Sequence, residues 1–152
     1  MSALKDRLRA DLTAAMKARD NVRSSTLRMV LTSVSTEEVS GKEARELSDD
    51  EVLAVLTSEA KKRREAAQAF AAAGRTDMAE KERAEAAVIA DYLPTQLTEQ
   101  EIVELVAAAI EETDAAKDGL RAMGRVMGAL AGRTRGRADG SVIAMQVRQQ
   151  LS

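Results

Sequence analysis

Histidine, cysteine and tryptophan are absent from this 152-residue chain, and proline, tyrosine and phenylalanine occur once each. Without cysteine there can be no disulfide, thiol nucleophile or cysteine-ligated zinc, and without histidine every mechanism that uses imidazole as a base is excluded. Carboxylate and lysine chemistry survives, but no pattern gathers such groups into an identifiable pocket, so no catalytic residue, metal or cofactor is expected. With Phe70 and Tyr92 as the only rings, a module that stacks bases on rows of aromatics is excluded. Any contact with nucleic acid must run through backbone and charge. No apolar run approaches the roughly 20 residues of a membrane span, and residues 1–10 read as a charged amphipathic start rather than a signal peptide. A cytoplasmic location with no membrane partner is the expectation.

What is present is helical. Sustained period-2 alternation is missing, and β-branched residues are scattered among Ala, Glu, Lys and Arg, so the fold class is all-α. Leu4, Leu8, Leu12 and Met16 step by four and predict a first helix, interrupted at Asp20-Asn21; Val22, Met29, Val30 and Val34 are candidate core positions of a second. Capping boxes predict later starts at Ser48 with Glu51, Asp77 with Glu80, and Thr98 with Glu101. The helix after Ser48 carries Val52, Leu53, Val55, Leu56, Ala60, Ala67 and Phe70 and ends at Gly74, where a left-handed cap is wanted. A fourth runs from Asp77 to about Tyr92. Pro94 ends it and marks a boundary between an N-terminal four-helix subdomain, residues 1–93, and a three-helix tail, residues 94–152. The tail's helices are predicted from Thr98 on Ile102, Leu105, Val106, Ala109 and Ile110, from about Leu120 to Ala131, and from Asp139 to Leu151.

Charge is segregated within that tail. Residues 95–118 carry seven acids against Lys117, while residues 119–152 carry six arginines against Asp139. In the basic part glycine falls at 124, 128, 132, 136 and 140, although each helical glycine costs about 1 kcal/mol relative to alanine. At about 100° per residue, Leu120, Met123, Val126, Met127 and Leu130 share one side, while Arg121, Gly124, Arg125 and Gly128 fall largely on the other. A strip without side chains, rimmed by guanidinium groups, lets a sugar-phosphate backbone approach closely. Arg133, Arg135, Gly136 and Arg137 extend it, and free N–H groups near Gly140, at the start of the last helix, offer a further anion site. The competing reading is that Gly124 and Gly128 let another helix pack tightly and that the loop arginines are merely solvated. Lys61-Lys62-Arg63-Arg64 reads as a solvated face with ion pairs, and Tyr92 as a packing wedge at the domain joint.

Several of these pieces occur together in the GatB/YqeY family, which the chain resembles over nearly its whole length. They include Leu27-Arg28-Met29-Val30-Leu31, the run from Lys61 to Ala66, Gly74-Arg75, and Glu82-Arg83-Ala84-Glu85. The more specific ones are Tyr92-Leu93-Pro94-Thr95-Gln96-Leu97 continuing to Ile102, Met123-Gly124-Arg125-Val126-Met127-Gly128-Ala129-Leu130, Gly136-Arg137-Ala138-Asp139-Gly140, and Val147 to Leu151. The resemblance implies a free-standing YqeY-like protein whose tail is similar to the one ending the B subunit of the tRNA-dependent amidotransferase. In that family the tail recognises tRNA, while amide transfer belongs to other domains. Gly124, Arg125, Gly128, Gly136, Arg137 and Gly140 match the tail motif. Ala122 departs from it, since an aspartate usually precedes Met-Gly, and this shifts the expected start of the sixth helix to Asp118.

The resulting expectation is a non-catalytic tRNA-binding accessory protein, with tRNA and an aminoacyl-tRNA synthetase or amidotransferase component as partners. The alternatives are a helical protein-interaction module and, by family label, an amidotransferase-like carbon-nitrogen ligase.

Overall fold

The computed structural model describes residues 2–152, and among them every regular element is a helix. In order they are α1 (Ala3–Lys17), α2 (Asn21–Glu38), α3 (Asp49–Ala72), α4 (Thr76–Ala90), α5 (Glu99–Glu112), α6 (Met123–Thr134) and α7 (Gly140–Leu151), with an irregular 3-10 stretch, Ala116–Ala122, ahead of α6. The chain divides into two compact units, residues 1–93 and 94–152.

In the first unit Leu8, Leu27, Val30, Val34, Leu47, Val52, Leu56 and Ile89 close a core with Tyr92. The predicted stripe of α1 holds through Leu12 and then fails, for Met16 is 51% exposed. Each four-residue step advances the face by about 40°, so the third step has carried Met16 off the core. Val22 is also exposed; Leu27 instead completes the inner face of α2 with Val30 and Val34. The capping boxes at Ser48–Glu51 and Thr98–Glu101 both form. The one at Asp77–Glu80 does not, because α4 begins a residue earlier at Thr76, behind Arg75, and Asp77 already lies in its first turn. What sets that start is the end of α3. Arg75 N–H donates to the Phe70 carbonyl at 2.8 Å and Gly74 N–H to Ala71 at 3.1 Å, a Schellman cap with Gly74 at φ +76°. The helix therefore restarts immediately after the cap.

The basic run on α3 forms the ion pairs the sequence suggests, with Lys62 and Arg64 exposed, but Arg63 departs from the solvated face. Arg63 is turned inward and sits 3.7 Å from Glu59, 3.6 Å from Glu82 and 3.7 Å from Glu85, tying α3 to α4. Lys61 and Lys62 do pair along the helix, with Glu65 and Glu59. Tyr92 is a packing wedge of the first unit: it is 6% exposed, its hydroxyl donates to Asp11, and Arg7 lies over its ring at 4.6 Å. Burial, then the hydrogen bond to Asp11, push its phenol up to about 12.

The second unit packs Ile102, Val106, Ala109, Ala122, Val126, Leu130, Ile143, Val147 and Leu151. Its sixth helix starts at Met123, later than the sequence suggests, and Asp118 is not its cap. Gly119 adopts φ +59° inside the preceding stretch and breaks the helical path there. Leu120, upstream of the true start, is consequently 54% exposed instead of lying in the core.

Candidate nucleic-acid interface

Val126 and Leu130 are fully buried on the inner face of α6, with Met123 and Met127 half-buried beside them. That orientation leaves Gly124, Gly128 and Gly132 on the exposed face, and a Cβ placed on any of the three would meet no neighbouring atom within 4 Å. The tight-packing alternative for Gly124 and Gly128 is thereby overturned: no helix lies against them. Gly140, the first residue of α7, is likewise exposed with open space around it.

Gly136 is different. It is buried, with φ +73°, and its carbonyl accepts from Gln96 Nε2 at 2.7 Å. Arg137 is engaged beside it: its Nε donates to the Thr95 carbonyl at 2.9 Å, and its own carbonyl accepts from Leu97 N–H at 2.8 Å. These two residues therefore strap the turn before α7 onto the segment that follows Pro94, and they do not extend the open strip. The two sequence motifs that contain them are two sides of one contact. Asp139 corrects a further expectation. As N-cap of α7 its carboxylate accepts from the Ser141 N–H at 2.9 Å, so the protein's own anion already occupies the helix end proposed for phosphate.

The arginines divide in the same way. Arg125 donates to Asp118 at 2.9 Å, and Arg133 to Glu112 at 2.8 Å. Arg121, Arg125, Arg133 and Arg135 are all exposed, and Arg121 has no ion pair or side-chain hydrogen bond among the described residues. The acidic stretch and the basic stretch, segregated in the sequence, are thus folded back on one another along α6. Sequence reasoning missed Glu112, Asp118 and Gln96 as parts of this surface. Nothing local marks them, since each acts on a residue 7 to 40 positions away. Glu101 is held below the ordinary carboxylate range by the backbone N–H and then the hydroxyl of Thr98, with a smaller contribution from the charge of Arg137.

The described residues thus form an all-helical protein of two compact units, with an exposed glycine strip bordered by arginines on the second. The family follows from comparison: residues 5–151 match the model of the Yqey-like proteins, and the chain belongs to the YqeY-like family. A relative from Pyrenophora tritici-repentis (strain Pt-1C-BFP), altered inheritance of mitochondria protein 41, mitochondrial, is 30% identical over 148 residues, covering 94% of this chain and 78% of its own. No helix among the described residues is long and apolar enough to cross a membrane.

Proposed function

We propose that the chain is a non-catalytic tRNA-binding accessory protein whose tail, residues 94–152, meets the sugar-phosphate backbone along α6. The observation that carries this reading is the row Gly124, Gly128 and Gly132, exposed and with open space where each Cβ would be. Three exposed glycines cost a 12-residue helix about 3 kcal/mol against alanine, a cost that close approach of a ligand backbone would offset. Arg121, Arg125, Arg133 and Arg135 supply the phosphate contacts in this reading; Gly136 and Arg137 hold the loop in place, and Gly140 lies at its edge. The partners that suit such a protein are tRNA and, with it, a synthetase or amidotransferase component. A cytoplasmic location remains part of the proposal, and the mitochondrial label belongs to the fungal relative.

Purified protein titrated with tRNA across a salt series tests it. The association constant should fall linearly on a logarithmic scale with salt, with a slope of no more than about four and lower where Asp118 and Glu112 already neutralise Arg125 and Arg133. Absence of binding at low salt, or binding indifferent to salt, refutes it.

A second reading, a helical protein-interaction module, is favoured by the exposure of Leu120 (54%) and Met145 (64%) on the same unit. Partners that survive nuclease treatment in a pull-down would support it.

A further inference from the structure

The first unit carries two grooves along α2, of opposite electrostatic character. The one toward α3 is lined by Glu37, Glu51 and Glu59 with Lys62, and it shares Thr32 and Thr36 with its neighbour. The one toward α1, of about 540 Å³, has no carboxylate in its lining at all; Arg9 and Arg28 enter it together with the hydroxyls of Thr32, Ser35 and Thr36. On α2 those residues fall at positions 28, 32, 35 and 36, one helical face, and Arg9 comes from α1.

The carboxylate nearest to compensating this groove is already committed. Glu38 accepts from Lys5 at 2.7 and 2.9 Å and from the Leu47 N–H at 3.2 Å, which fastens the start of α1 to the end of α2. The side chains of Arg9 and Arg28 make no hydrogen bond or ion pair among the described residues, although the charge of Arg9 adds a small share to holding the Glu38 carboxyl below its ordinary range. Nor do the hydroxyls of Thr32, Ser35 and Thr36, and here α2 offers its own comparison. Ser24, Ser25 and Thr26, on the same helix, each donate to a backbone carbonyl three or four residues back, and Ser33 donates to Glu59. Such back-bonding is the ordinary fate of a hydroxyl in a helix. The three that line the basic groove are the ones that forgo it.

We infer that the groove between α1 and α2 binds the phosphate group of a small phosphate ester, with Arg9 and Arg28 as charged forks and Thr32, Ser35 and Thr36 as hydroxyl donors. Charge favours phosphate over carboxylate. Two guanidinium forks match the roughly two negative charges and three acceptor oxygens of a phosphate monoester, where a carboxylate brings one charge and two oxygens. The groove is shallow and open, with Arg9, Arg28, Thr32, Ser35 and Thr36 all exposed, so it would hold the phosphate group at its surface and leave the ligand partly in solvent. Leu12, Leu31 and Val39 also line the groove and give the carbon skeleton of the ester an apolar wall. Neither ring of the chain lines it, so a nucleobase would find no stacking partner. This inference is independent of the proposed role of α6.

The test uses the full chain labelled with 15N, titrated with inorganic phosphate, glycerol 3-phosphate and a short RNA in turn, with chloride holding ionic strength constant. Saturable amide shifts confined to residues around Arg9, Arg28, Thr32 and Ser35 are expected for phosphate, with tighter binding of the ester because its carbons meet the apolar wall. The double variant Arg9→Gln/Arg28→Gln should weaken the affinity about tenfold or more. Its melting temperature and helical signal should change little, since both side chains are exposed and neither makes a hydrogen bond or ion pair. A Thr32→Val/Ser35→Ala variant should weaken phosphate binding while keeping the groove's charge. Shifts spread over all basic surfaces, no saturation, or full binding by the double variant overturns the inference. So does saturation of these amides by RNA alone, which would make the site a nucleic-acid contact.

Discussion

Arg133 donates to the carboxylate of Glu112 at 2.8 Å, a contact between α6 and α5 across 21 residues of sequence, with both side chains about half exposed. A carboxylate in that position competes with phosphate for the same guanidinium. Exposed pairs of this kind contribute at most about 1 kcal/mol to stability, so their larger consequence is for binding. Glu112→Gln should raise tRNA affinity and increase the salt slope by about one, with little change in melting temperature. Glu104→Gln, on an exposed acid of the same helix, removes the same charge without freeing an arginine and should leave the slope unchanged. Equal effects from the two variants would mean bulk charge alone is at work.

Two positions of the tail motif should respond oppositely to substitution. Gly128→Leu places a side chain in open space and adds helix propensity, so urea denaturation should show unchanged or higher stability, by up to about 1 kcal/mol, while tRNA binding weakens. Arg137→Ala removes the bond to the Thr95 carbonyl and should cost about 1 kcal/mol. The sequence alone suggests that Arg137 can be removed without structural consequence.

Arg63 is the counter-charge of three largely buried carboxylates, Glu59, Glu82 and Glu85, whose side chains are 7%, 15% and 13% exposed. Arg63→Met leaves Glu82 and Glu85 facing one another without their counter-charge, and Glu59 with Lys62 and the Ser33 hydroxyl alone, and should destabilise the first unit by about 3 kcal/mol in equilibrium unfolding. Adding Glu82→Gln to that variant should recover part of the loss. If Arg63→Met unfolds like the parent, the cluster is better hydrated than its burial implies.

Tyr92 is the only tyrosine and there is no tryptophan, so absorbance near 295 nm on raising the pH reports one phenol. Its midpoint should lie near 12 instead of the ordinary 10.0, chiefly from burial. Because the folded value is raised, this group's contribution to stability is complete below pH 10 and is lost as pH rises toward 12. Asp11→Asn should move the midpoint part of the way down, leaving the shift due to burial. A midpoint at 10 in the folded protein would show that the ring is not held as described.

Much of the architecture could be read from local pattern, because local pattern is what fixes it. The 3.6-residue period put Val126 and Leu130 inward and Gly124 and Gly128 outward on α6, and two of three capping boxes formed because a cap is a contact over three residues. Where the reading failed, the deciding contact came from further away. Asp77 lost its role as cap to the geometry of the α3 terminus, and Leu120 lost its place in the core to the break at Gly119. Helical faces and termini were therefore determined by the sequence itself. Which arginines stand open, which are held by Asp118 or Glu112, which is buried among glutamates, and that Gly136 belongs to a strap and not to the strip, were decided only by tertiary structure. The physical reason is that a guanidinium has the same local preference in all these positions. Its fate depends on which carboxylate or carbonyl the packing of distant helices brings within about 3 Å.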